Sequence, residues 1–279
     1  MANNRLYLAL GITLGILVVA LLVSVVIIAA KPVIKKHQEA EVAAVISRIS
    51  GTSGSAQSLS ADFTYTVESV KHGQSVSGHV DMMKPNFARF TYTSIARPAY
   101  PMPVAADGKT IYIFAPKSRG NYDPILAAQQ ASGTEPGGGI FKTQPDRPDG
   151  SNIHLWDSIL FQSFFSPAAG LQYLYCRSYD ELTFQGKKEI DGVNCSVLYH
   201  HLKGGNISGG ENSDFDQWLY VGEDGIIRKY VLKFTSKGEP GTQTATLSNI
   251  QTDSPLAANT FVFTPPAGSK FWQPANTNQ

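Results

Sequence analysis

Acyl transfer by a serine hydroxyl needs the serine on a strained turn, with a histidine and an acid in reach. The sequence has no G-x-S-x-G. Its nearest string, Gly51-Thr52-Ser53, carries Ser55 where the closing glycine belongs. A metal centre needs clustered histidine, cysteine or carboxylate ligands. His200 and His201 are adjacent, and successive side chains of a strand point to opposite faces, so they do not converge on one ion. Asp107-Gly108 and Asp224-Gly225 lack the regular acidic ligands of a calcium loop and read as turns. No phosphate-cradling or dinucleotide-binding glycine pattern occurs. Asn194-Cys195-Ser196 and Asn206-Ile207-Ser208 match the glycosylation triplet, but nothing else in the sequence marks a eukaryotic secretory route. The expectation is a protein that is not an enzyme and needs no cofactor or metal.

The two cysteines, Cys176 and Cys195, have no C-x-x-C spacing and are too few for a zinc site of their own. They read either as two buried thiols or as one disulfide, which would add about 3 kcal/mol in the chain-entropy account. A disulfide persists only in an oxidising compartment, so this second reading places the domain outside the cytoplasm.

These groups must be positioned by the rest of the chain. Of 279 residues, 42% are hydrophobic and only 16% charged, with a net charge of +1. This excludes global disorder and offers no basic surplus for nucleic acid. Gly 25 and Pro 16 favour a fold with many turns. Leu6 to Ala30 carries no charge, and about 20 apolar residues suffice to cross a bilayer as a helix. Ile28-Ala29-Ala30 lacks the small-x-small pattern of a cleavage site. The segment reads as an uncleaved anchor. Arg5 stands before it, and Lys31, Lys35 and Lys36 after it. That charge bias favours a cytoplasmic domain, against the compartment a disulfide implies.

After the anchor, Gln38 to Ile49 places Val42, Val45, Ile46 and Ile49 on one helical face, and Gly51 to Ser60 breaks the pattern. Period-two alternation then begins at Ala61. It continues through Val76–Met82, Phe87–Ser94, Val104-Ala105 and Thr110–Ala115 as a first antiparallel meander. The glycine- and proline-rich stretch 133–151 reads as a loop, and Ile153 to Phe165 as a helix packed on the sheet. A second meander runs through Leu182–Glu189, Asn194–His201, Asp214–Val221, Ile226–Phe234 and Thr242–Ile250, with a short end at Thr260–Phe263. The class is mainly β, with about eleven strands.

One face of the first meander collects Phe63, Tyr65, Val67, Val76, Val80, Met82, Phe90, Tyr92, Ile111 and Ile113. The helix adds Leu155, Trp156 and Ile159. This face is either ordinary core under the helices or the lining of a cavity for an acyl chain. Periodicity does not separate the two.

The strings GHVDMMKPNFARFTYT (Gly78 to Thr93) and Asp107-Gly108-Lys109-Thr110-Ile111-Tyr112 resemble the LolA/LolB superfamily of periplasmic lipoprotein carriers. So do Trp218-Leu219-Tyr220, Asp224-Gly225-Ile226-Ile227-Arg228 and Phe261-x-Phe263-x-Pro265-Pro266. The chain looks most like the uncharacterised predicted periplasmic branch of that superfamily, over about residues 40–268. The resemblance implies an incomplete antiparallel β-barrel of about eleven strands with a helical lid, no catalysis, and an interior for acyl chains. Lys84 stands where the carriers keep an arginine that ties lid to barrel, and lysine lacks the rigid arginine fork. The membrane anchor is a second departure from a soluble shuttle.

The expected organisation is a tail (1–5), a transmembrane anchor (6–30), a basic linker (31–37), the half-barrel domain (38–268) and a C-terminal tail (269–279). The expected function is a binding protein for lipoprotein acyl chains or another hydrophobic ligand. It would be held by one helix in the inner membrane, with its domain in the periplasm or outside the cell. The alternative is a regulatory domain that binds a protein partner and no lipid.

Overall fold

The computed structural model describes residues 35–69, 73–85, 87–96, 102–107, 110–115, 125–130, 159–165, 181–205, 213–236, 238–264 and 270–271. The segment expected to be the anchor lies outside them. Among the described residues no helix is long and apolar enough to cross a membrane.

Helix α1 spans 35–55. Val42, Val45 and Ile49 form its buried stripe at helical spacing, with Ile46 packed beside them. The helix passes through Gly51 and Gly54, where the sequence reads as a break: Ser53 is buried on the same face, and Ala56 N–H closes the last turn on the Thr52 carbonyl at 2.9 Å.

The first meander is β1 (Ser58–Ser69), β2 (Gly73–Met83), β3 (Phe87–Ala96), β4 (Met102–Asp107), β5 (Thr110–Ala115) and β6 (Ile125–Gln130). Helix α2 (Ile159–Phe165) follows; the expected start of this helix at 153 lies outside the described residues. The second meander is β7 (Thr183–Ile190), β8 (Val193–Gly205), β9 (Ser213–Val221), β10 (Ile227–Ser236) and β11 (Glu239–Thr252), and β12 (Lys270–Phe271) ends the order.

All twelve strands form one sheet in the order β12-β6-β5-β4-β3-β2-β1-β11-β10-β9-β8-β7. The two meanders meet at β1 and β11, which pair antiparallel. The sheet is open, with β12 and β7 at its edges, so it is not closed into a barrel. Strand β6 is not visible as alternation, since Ala127-Ala128-Gln129-Gln130 has no period of two; pairing with β5 makes it a strand. Residues Lys270–Phe271, expected in a tail, add a parallel pair to β6. Thr260–Phe263, expected as a strand, begins instead in a 3-10 turn at Ala258–Phe261. There Thr260 N–H donates to the Ala257 carbonyl at 2.9 Å, and Val262 N–H to that of Asn259 at 3.2 Å.

One face of the sheet and the two helices share a single core. Phe161 of α2 meets Phe63 of β1 (centroids 6.0 Å apart) and Phe90 of β3 (5.3 Å), both edge-on, a favoured aromatic geometry. Gly78 permits this arrangement: a Cβ there would stand 2.2 Å from the Thr91 carbonyl oxygen and 3.1 Å from the Phe63 ring.

Candidate ligand site beneath the two helices

The expected lining residues divide in three. Phe63, Tyr65, Val76, Val80, Met82 and Phe90 are buried in the common core, and Val67 and Tyr92 pack partly buried against it. Ile111 and Ile113 lie in β5, and Ile159 opens α2, by their backbone alone. Leu155 and Trp156 lie outside the described residues.

Lys84, in the turn after β2, holds both helices. Its ammonium donates to the Ser53 carbonyl in the last turn of α1. The same ammonium lies over the Phe164 ring of α2, 5.3 Å from the centroid. Ser53 Oγ donates to the Phe164 carbonyl at 2.9 Å. Burial lowers the Lys84 pKa, and the charge of Asp253 partly opposes this. Asp253 also accepts the Gln57 N–H at 2.7 Å, and Lys84 N–H donates to the Gln57 carbonyl at 2.9 Å. The α1–β1 junction is thereby bound to the end of β11 and to the β2–β3 turn. The other side of α1 is held by the β9–β10 turn, where Thr52 Oγ1 donates to the Asp224 carbonyl. Arg48 Nη2 reaches Ser196 Oγ of β8 at 2.8 Å.

A cleft of about 630 Å³ opens between α1 and the start of β7, walled by Val42, Ala43, Ile46 and Leu182 and rimmed by Lys35, Gln38 and Glu39. That volume is within the range of small-molecule sites.

The second meander places polar groups on the core face, which sequence reasoning missed. Gln217 of β9 is 0% exposed and His200 of β8 is 2% exposed. Tyr230 Oη donates to Gln217 Oε1 at 3.0 Å, and Gln217 Nε2 lies 3.3 Å from His200 Nδ1. With Gln217 Nε2 a donor, His200 Nδ1 accepts, and its Nε2 carries the hydrogen toward Glu181 Oε2 at 3.2 Å. His201, pointing to the other face as expected, instead meets Asp216 at 2.9 Å. A buried glutamine in a period-two run of apolar residues was the available signal, and it reads as an interruption until the register pairs Gln217 with His200.

The outer face carries a second network. His79 lies between Asp62 Oδ1, 2.7 Å from Nδ1, and Ser60 Oγ, 3.0 Å from Nε2. Asn249 Nδ2 donates to Asp62 at 2.7 Å. Ser60, His79 and Asp62 thus stand in the spatial order of a hydrolytic triad. The chemistry differs, because Ser60 Oγ donates to Asp81 Oδ1 at 2.7 Å. Burial pulls the His79 pKa down, but Asp62 and Asp81 together hold it above its ordinary value. The Asn249 hydrogen bond and then that of His79 lower the Asp62 pKa. The network clasps β1, β2 and β11.

Cys195 is a buried free thiol, so the expected bridge to Cys176 is not made there; Cys176 lies outside the described residues. Among the described residues no group of three or more His, Cys, Asp or Glu could hold a metal ion.

No curated protein matches the sequence. The lipoprotein LppX of Mycobacterium tuberculosis is 11% identical in its crystal structure, covering 78% of this chain and 98% of its own, with a TM-score of 0.37. For LprF of Mycobacterium bovis the values are 15%, 79%, 97% and 0.35. For a LolA superfamily protein of Nitrosomonas europaea they are 10%, 78%, 96% and 0.31. Residues 170–271 match the family described as predicted periplasmic protein, DUF2092, and over that stretch the chain is similar to the branch its motifs resemble.

Proposed function

We propose that the chain is a membrane-anchored, extracytoplasmic, non-catalytic binding protein for lipoprotein acyl chains or another hydrophobic ligand. Residues 6–30 serve as the anchor, 31–37 as a basic linker, 38–268 as the binding domain and 269–279 as its tail, with the domain in the periplasm. The observation that carries this reading is the placement of α1 and α2 over an aromatic sheet face, joined to each other and to the β2–β3 turn at the polar junction Lys84–Ser53–Phe164. Leaving that face uncovers Val45, Ile49 and Phe161 as well, at about 1.5–3 kcal/mol for each large side chain, a cost that a bound chain offsets by its own burial. The vacated face then offers an acyl chain roughly 0.8 kcal/mol for each CH₂ it buries. The cleft beside α1 gives a chain its first foothold.

The test is native mass spectrometry of the full chain released from detergent in the gas phase. Retention of one acyl amphiphile, lost in Phe63→Asp with the sheet intact by circular dichroism, is the expected result. A chain that carries no amphiphile and takes none up from monoolein mixed into detergent micelles overturns the proposal.

A further inference from the structure

The strand register draws one line across the core face. Gln74 of β2 pairs with Val67 of β1, and Val67 with Gln243 of β11. Gln243 pairs with Leu232 of β10, Leu232 with Gln217 of β9, and Gln217 with His200 of β8. Three glutamines and a histidine therefore stand at one level across six neighbouring strands of a face that is otherwise apolar. The next level toward the β2–β3 turn is Val76, Tyr65, Ala245, Tyr230, Leu219 and Leu198. Beyond it on the first meander come Phe63, Val80 and Met82.

The row is largely buried as well as polar, with Gln243 half-buried. Gln74, Gln217 and His200 are all more than nine-tenths buried, and Gln74 Oε1 has no hydrogen-bond partner. A buried acceptor left unmet opposes folding unless something satisfies it in another state.

We propose that the Gln74–Gln243 end of this row seats the uncharged, hydrogen-bonding junction of an amphiphile, an ester or amide with neighbouring hydroxyls. Its acyl chains would lie toward Phe63, Val80 and Met82. The inference rests on the binding reading above and narrows its ligand class. Gln217 and His200 are engaged with each other, with Tyr230 and with Glu181, whereas Gln74 brings an unmet carbonyl acceptor, which suits a hydroxyl beside an ester. The row holds no lysine or arginine to match a phosphate or carboxylate. Neutral head-group linkages are favoured over phospholipid phosphates and free fatty acids.

The experiment measures binding of monoolein, palmitate and hexadecane to the full chain, as wild type and as Gln243→Leu and Gln74→Leu. Monoolein is expected to bind at least tenfold tighter than palmitate. Each leucine variant is expected to weaken monoolein about tenfold and leave hexadecane unchanged. Gln74→Leu is further expected to raise the ligand-free Tm while weakening monoolein, a pairing that a purely structural glutamine does not give. Palmitate binding as well as monoolein, or variants that fold and bind monoolein like wild type, overturns the row alone. Failure of all three probes to bind wild type overturns the binding reading together with the row.

Discussion

Ser53 donates its hydroxyl to the Phe164 carbonyl at 2.9 Å, and its own carbonyl receives the Lys84 ammonium. One residue of α1 thus joins α2 and the β2–β3 turn. The lysine does with a single flexible ammonium what a planar arginine fork would do with several donors. Its methylene stem and its charge over the Phe164 ring make up part of the difference.

Removing that ammonium should loosen the helices without unfolding the sheet. Lys84→Met keeps the stem and leaves the Ser53 carbonyl without its charged donor, a loss of about 1–2 kcal/mol for a part-buried, charge-assisted bond. Hydrogen exchange should rise in the last turn of α1 and in α2, with little change in β1, β10 and β11. Uniform acceleration through the sheet would show instead that Lys84 supports the whole domain.

The opposite end of the α1 attachment depends on a glycine. Gly225 has φ +77°, and a Cβ there would stand 2.3 Å from the Arg48 carbonyl oxygen. Gly225→Ala therefore meets both left-handed strain and the helix backbone, which cannot swing away like a side chain. We expect a loss of about 2–4 kcal/mol, read as a lower midpoint in urea. Gly238 also has positive φ (+78°) but nothing within 4 Å. Gly238→Ala should thus cost only the strain, about 1 kcal/mol.

The outer clasp predicts a pH dependence with a definite sign. His79 has its pKa raised by Asp62 and Asp81. Its contribution is complete below the unfolded value near 6.5 and is lost as pH rises through the higher folded value. Asp62 has its pKa lowered by Asn249 and His79. Its contribution is present above about 3.8 and is lost as pH falls through the lower folded value. Between these limits both act. Thermal melts from pH 5 to 9 should show a fall in Tm beginning above pH 6.5 that His79→Gln flattens. An unchanged slope in that variant would assign the fall to other groups.

The sequence carried the sheet well because alternation is a local signal. Phe63 and Tyr65, Val76 and Val80 are readable as one face from their own neighbours, and the buried positions in β1 and β2 follow that period. What crosses the chain was not readable. The pairing of β1 with β11 joins residues such as Phe63 and Leu247, and no local pattern marks it. The row from Gln74 to His200 exists only through five such pairings. Lys84 was singled out by its place in a motif, but its partners Ser53 and Phe164 come from two other segments. Helix α1 runs past the break that Gly51 and Gly54 suggest: Ser53 bonds to the Phe164 carbonyl, Lys84 bonds to the Ser53 carbonyl, and Ala56 N–H closes the last turn on the Thr52 carbonyl.

Phe161 decides whether the helices are core or cover. Its ring touches Phe63 and Phe90 from α2 and is 1% exposed. In a fixed core, Phe161→Ala leaves a cavity and costs about 3–5 kcal/mol. In a helix that leaves the face to admit a ligand, the same substitution also weakens the closed state against which the ligand competes. The expected outcome is therefore a lower ligand-free Tm together with tighter monoolein binding, because displacing α2 becomes easier. Calorimetric titration of monoolein into Phe161→Ala and wild type at equal protein concentration checks this. A variant that loses stability and gains no affinity would make α2 a permanent part of the core.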